Sequence, residues 1–262
     1  MPLAKPTLFL VIATCLGLTG CAATPTEGRA RIADMPLAAT HADIAFTLTT
    51  GSRQRSICNG SMNCPTKIDV ATAMRFTWQV QRIAAALQEG AQYLYPDLAR
   101  HEPGLGGSRF DVYVTEGDEP RSASSANGRI ALNAALGAGQ PYDDWLAFII
   151  AREMGHVIAR HHEENSAASI ATSVIINFIV PGSALLKGAV SAGGAGVAAR
   201  SKQDEQALEA DLIAFSLLKA AGFSLRDVSL SLLIAPALPD GDPWSTSFRR
   251  SSATLLAEAR AL

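Results

Sequence analysis

The chain has 262 residues, 48% of them hydrophobic, and a formal net charge of −2. That is enough for one large domain with a real core, or one domain with a helical appendage. With 22 basic and 24 acidic side chains, there is no electrostatic case for nucleic-acid binding.

Residues 1–20 read as a leader outside the fold. Lys5 gives a positive start and Leu8 to Leu18 form an apolar run too short for a spanning helix. The run ends in Leu18-Thr19-Gly20-Cys21, which resembles the bacterial lipoprotein signal. The resemblance implies cleavage before Cys21 and acylation of Cys21; an ordinary secretory signal is the rival reading. Ala22 in place of aspartate, by resemblance to lipoprotein sorting rules, implies the outer membrane, facing the periplasm. Cys15 leaves with the leader, and 242 residues remain.

Residues 21–45 form a tether, rich in Ala, Thr and Pro at its start. A weak alternation over 42–50 suggests a first strand. Cys58 and Cys64, with five residues between them, read as a local disulfide in an oxidising compartment; zinc binding by the pair is the rival. The pattern over 68–98 predicts a helix with Val70, Met74, Trp78, Ile83 and Leu87 along one side. A loop with Pro and Gly follows at 99–108. Phe110 to Val114 predicts a strand, 116–128 a polar loop, and Arg129 to Leu132 a second strand after Asn127-Gly128. A helix is predicted from Asp143, its N-cap, to about Glu164.

Residues 166–200 are an apolar insert divided by Pro181-Gly182-Ser183. It reads as a buried helical hairpin or as a surface that touches membrane or a hydrophobic partner. Helical patterning resumes from Gln203 to about Ala221, where Gly222 ends it. Two more helices are predicted at 225–236 and 246–261, and there are no internal repeats.

The motif that carries chemistry lies at Arg152-Glu153-Met154-Gly155-His156. It is H-E-x-x-H with its first histidine replaced by arginine. In the intact motif two histidines one helical turn apart hold zinc and the glutamate activates the bound water. A guanidinium has donors and no acceptor, so Arg152 cannot ligate. Gly155 lets another backbone approach the helix. His161 and His162, five and six residues beyond His156 on a continuous helix, point elsewhere and read as exposed helix-end residues. Ser122, Ser124 and Ser125 cluster in a loop without a nucleophile motif. His41 and His101 sit in predicted loops with no partner pattern.

The stretch Trp145 to His161 resembles the zinc metallopeptidase family of the CAAX prenyl endopeptidases, including its bacterial periplasmic lipoprotein members. Glu209-Ala210-Asp211 resembles the family's E-A-D element on a second helix. Asn127-Gly128-Arg129-Ile130-Ala131-Leu132 resembles its substrate-pairing edge strand, which places Gly128, Arg129, Ile130 and Ala131 beside an extended chain. The resemblance covers 65–260 in order. It implies an α+β zincin-like domain, mainly helical with a small sheet beside the active helix, spanning 46–262.

By resemblance, Glu153 is the general base, His156 a zinc ligand, Asp211 the partner that orients a ligand histidine, and Glu209 its neighbour. Three positions depart from the pattern. Arg152 replaces the first ligand. Ala207, four residues before Asp211, replaces the third ligand, a glutamate. The stretch Ser245-Thr246-Ser247-Phe248 has no counterpart of the family's transition-state histidine.

Charge counting links the first two departures. Zinc against two glutamates sums to zero, and so does Arg152 against Glu153 with Ala207 neutral. Arg152 is therefore expected to pair with Glu153, Asp204, Glu209 or Asp211, and keeping zinc beside it would cost several kcal/mol. A rearranged site using His156 and Asp204 offers only two ligands.

Three functional readings follow. One is an envelope lipoprotein with a metal-free, catalytically impaired peptidase domain that binds peptides or partner proteins in envelope quality control or assembly, by strand addition. Another is an active zinc endopeptidase with an irregular ligand set. The third is a structural subunit of an outer-membrane assembly.

Overall fold

The computed structural model describes residues 70–96, 110–115, 120–165, 195–235 and 238–261. The leader, the tether, the predicted first strand, His41, Cys21, Cys58, Cys64, His101 and most of the apolar insert lie outside the described residues.

The elements in chain order are α1 (Val70–Leu94), β1 (Asp111–Thr115), β2 (Ser122–Ser124) and β3 (Arg129–Asn133). A 3-10 turn, α2 (Asp143–Ile158), α3 (Ala195–Ala220), α4 (Leu225–Leu233) and α5 (Pro243–Ala261) follow. This is the mainly helical α+β class expected, with a small mixed sheet. Among the described residues no helix is long and apolar enough to cross a membrane.

The core is built around α2. Trp145 to Gly155 are buried without interruption, as a helix covered on all sides requires. Helices α1, α3 and α4 and strands β2 and β3 all pack on it. Helix α1 buries Ala73, Phe76, Val80, Ile83, Ala84 and Leu87, a 3–4 spacing. Met74 and Trp78, expected on that face, are 59% and 76% exposed; the buried stripe follows the smaller residues and Phe76.

Asp143 starts α2 but does not cap it, because α1 takes its carboxylate. Gln79 Nε2 donates to it at 2.8 Å and Arg82 pairs with it. Tyr142 is the N-cap residue and makes no side-chain cap bond. The end of α3 follows the expected glycine stop. Gly222 has φ 83, Phe223 N–H donates to Leu218 O at 2.8 Å, and Gly222 N–H to Lys219 O at 3.1 Å. Those two bonds close the helix end around a left-handed residue. At α5, Asp242 accepts from Ser245 N–H at 2.8 Å, satisfying one of the free donors of the first turn.

The sheet corrects two expectations. Residues 122–124, expected in a loop, form β2, antiparallel to β3 through a turn in which Gly128 takes φ 84. The order is β1-β3-β2, with β1 parallel to β3. The stretch with Arg129, Ile130 and Ala131 is therefore the central strand, not an edge. Both its sides are already hydrogen-bonded, so it cannot take up another chain. The edges among the described strands are β1 and β2.

Helix α2 also stops earlier than expected. Arg160 adopts φ 59, a left-handed conformation that costs a non-glycine residue about 1 kcal/mol. A further helical segment, 161–165, begins after that break.

Candidate active site

Helices α2 and α3 cross at Gly155. A Cβ there would lie 2.5 Å from Ala210 O and 3.0 Å from Ala210 Cα, so only glycine allows this approach. The crossing sets Arg152 against Asp211, and brings His156, through His161, to Glu209.

Arg152 is 5% exposed. Its Nε donates to Ser251 Oγ at 2.8 Å and its terminal nitrogen to Ser247 Oγ at 2.7 Å. Asp211 Oδ1 lies 3.3 Å from Nε. That oxygen lacks a well-directed hydrogen bond, so the contact is ionic. Of the four acidic partners expected for Arg152, Asp211 is the one it contacts. Burial pushes the Asp211 carboxyl up to about 6, against the opposing pull of Arg152. Asp204 lies on the exposed side of α3, paired with Arg250.

Glu153 faces the sheet instead. Ser122 Oγ donates to one carboxylate oxygen at 2.7 Å and Ser124 Oγ to the other at 2.6 Å. Trp244 Nε1 donates to Ser122 Oγ at 2.9 Å, and His162 Nε2 lies 2.9 Å from Ser124 Oγ. Each serine spends its single proton on Glu153, so Trp244 and His162 are donors to the serines. Burial lowers His162 to about 4; its ring is neutral near pH 7.

His156 Nδ1 lies 2.9 Å from His161 Nδ1, and His161 Nε2 lies 3.1 Å from Glu209 Oε2. A carboxylate accepts, so His161 presents Nε2–H to Glu209. One of the two Nδ1 atoms donates to the other. Burial, with Arg152 and the neighbouring rings, holds His156 well below the ordinary histidine range.

The expectation that His161 and His162 point elsewhere is overturned. His161 is 1% exposed and both rings meet the motif. The left-handed Arg160 resets the helical phase, which the count of five and six residues had carried through unbroken. Ser122 and Ser124, set aside as loop residues, hold Glu153; the alternation that places both on one face of a strand was the available signal. Ser251 had none, lying 99 residues from Arg152, and Ser247 was marked only by its place in the stretch that resembles the family's histidine segment.

Zinc is the metal the motif implies, and the donor set does not fit it. Arg152 presents only donors at the first ligand position and is engaged by three partners. Ala207 offers no donor atom at the third. His156, whose Nδ1 meets the His161 ring, is the one family ligand left. Among the described residues, no three His, Cys, Asp or Glu side chains converge as a metal ligand set.

Helix α5 closes the remaining side. Phe248 packs 6.0 Å from Trp145 and 5.7 Å from Phe148, and Trp244 stacks on Phe248 at 5.3 Å, centroid to centroid. Arg121, beside β2, pairs with Asp242 at 2.8 Å. The segment Ser245–Phe248 thus faces the motif, with Ser247 on Arg152.

No curated protein matches the chain significantly. The family model described as Peptidase family M48 matches residues 92–234, more than half of the chain. The match contains β1 to β3 and α2 to α4, and ends before α5. Glu153, His156 and the Glu209-Ala210-Asp211 element all fall inside it, at one helix crossing. The chain belongs to Peptidase family M48, zinc metallopeptidases of the CAAX protease type.

Proposed function

We propose that this chain is a lipid-anchored protein of the bacterial envelope whose M48 domain works without a metal and without efficient catalysis. It sits at the outer membrane through Cys21, faces the periplasm, and binds extended polypeptides or partner proteins in envelope quality control or assembly.

One observation carries the reading: the buried Arg152 guanidinium, held by Asp211, Ser247 and Ser251 at the first ligand position. A dication beside that charge would lose more by repulsion than the one remaining family ligand, His156, returns. Without zinc there is no acidified water for Glu153 to deprotonate. Both its carboxylate oxygens are already taken by serines. An extended chain that joins the sheet does so at an outer strand, and among the described strands that favours β2, because Gln81 of α1 already donates to Val112 O of β1 at 2.6 Å.

A working zinc endopeptidase with irregular ligands is the alternative. Its support is the line from His156 through His161 to Glu209, three side chains of ligating type.

The test is zinc content per chain, by elemental mass spectrometry in chelator-free buffer, together with casein cleavage. We expect near-zero zinc after zinc is added back, and no cleavage above background. One zinc per chain, with chelator-sensitive cleavage lost in Glu153→Gln, would establish the alternative.

A further inference from the structure

In the intact family site, ligands on the helix equivalent to α2 and on the helix equivalent to α3 share one metal, which pins the two helices together. Here the positions that would do so are Arg152, His156 and Ala207. We propose that an internal clamp does this work instead: Arg152 ties α2 to α3 and α5, and His161 ties the end of α2 to α3. The inference rests on the metal-free reading above and goes beyond it by assigning what holds the crossing closed.

The contacts are complementary. Arg152 reaches Asp211 on α3 at 3.3 Å, and Ser247 and Ser251 on α5 at 2.7 and 2.8 Å. His161 lies between His156 of α2 at 2.9 Å and Glu209 of α3 at 3.1 Å. The residues of α3 used are the first and last of Glu209-Ala210-Asp211. Between them Ala210 presses on Gly155. The two links thus flank the point of closest backbone approach. Ser247 and Ser251 are one turn apart, so a single guanidinium grips one face of α5. Arginine suits this role because its fork spans several acceptors at once. Helix α5 lies beyond the residues matched to the M48 family.

The clamp also accounts for the strained Arg160. Its φ of 59 brings His161 back onto the motif, and a conformation of this kind persists only where its surroundings over-determine it.

The test uses the full chain. Thermal unfolding is measured with chelator, with added zinc, and for Arg152→Met, Asp211→Asn and the double variant. Amide exchange is followed separately over α5 and α1. The melting temperature is expected to be the same with chelator and with zinc. Each single variant is expected to lower it by roughly 10 °C, and the double variant by little more than one of them. In Ser247→Ala with Ser251→Ala, which leaves both Arg152 and Asp211 in place, α5 amides are expected to exchange roughly tenfold faster while α1 is unchanged. This pair of substitutions keeps the test decisive if Arg152→Met does not fold. Unchanged α5 exchange in the serine variant, or additive losses in Arg152→Met and Asp211→Asn, would overturn the clamp and leave the metal-free reading standing. A rise in melting temperature on adding zinc to the unaltered chain would overturn the metal-free reading itself.

Discussion

The Nδ1 atoms of His156 and His161 lie 2.9 Å apart, so one ring donates to the other. The pair ends on Glu209, 3.1 Å from His161 Nε2. A ligand position of the family is thereby bound into a hydrogen-bond line within the protein. His161→Ala would leave His156 Nδ1 and the buried Glu209 carboxylate each short of a partner. The expected loss is about 2 kcal/mol, or roughly 6 °C in melting temperature. Differential scanning calorimetry of the variant checks it, and a shift under 1 °C would show that water replaces the ring.

Gly155→Ala is expected to cost about 3 kcal/mol. Its Cβ would stand 2.5 Å from the Ala210 carbonyl oxygen, backbone against backbone, so the helices must separate. Gly241→Ala makes the contrast, with φ 79 and nothing within 4 Å of the new Cβ. That change costs about 1 kcal/mol from backbone strain alone. Urea unfolding of both variants measures the difference, and equal losses would mean that the crossing is looser than the geometry implies.

Ser122→Ala removes a donor from Glu153 and an acceptor from Trp244 in one step. A loss of about 2 kcal/mol is expected, together with a red shift of the Trp244 fluorescence as its ring loosens from Phe248. Ser125→Ala is the control, since Ser125 bonds only within its own turn, to Asn127 and Arg129. If both variants lose the same, the Glu153 link carries no special weight.

Stability is expected to fall on acidification from about pH 6.5 toward pH 4. His162 has its pKa lowered from 6.5 to about 4, so the unfolded chain takes up a proton that the fold refuses. Its contribution is present above pH 6.5 and is lost as the pH falls through the folded value. His156 is shifted in the same direction. Asp211 opposes them: raised from 3.8 to about 6, it stabilises fully below pH 3.8, and that contribution is lost as the pH rises through 6. Two histidines outweigh one carboxyl across the window. Melting temperatures across it give the slope. His162→Gln, whose amide still donates to Ser124, is expected to flatten it; an unchanged slope would remove His162 as a cause.

Much of this protein was legible along the chain. The motif, the apolar helix around it and the Glu209-Ala210-Asp211 element belong to single elements whose spacing speaks for itself. The stop at Gly222 and the strand from Arg129 are equally local, one set by a left-handed glycine and the other by alternation after a turn. Arg152 also announced from its chemistry alone that it could not be a ligand.

What binds Arg152 was decided only in three dimensions. Asp211 was one of four candidates, and Ser247 and Ser251 are serines of ordinary type brought close by the packing of α5. The order β1-β3-β2 was likewise undetermined, because hydrogen-bond pairing between strands leaves no mark on a single strand's pattern. The return of His161 and His162 to the site depended on one residue, Arg160, adopting a conformation that nothing in its identity favours. Local sequence specifies periodicity and caps; which distant groups satisfy a buried charge is settled by the whole fold.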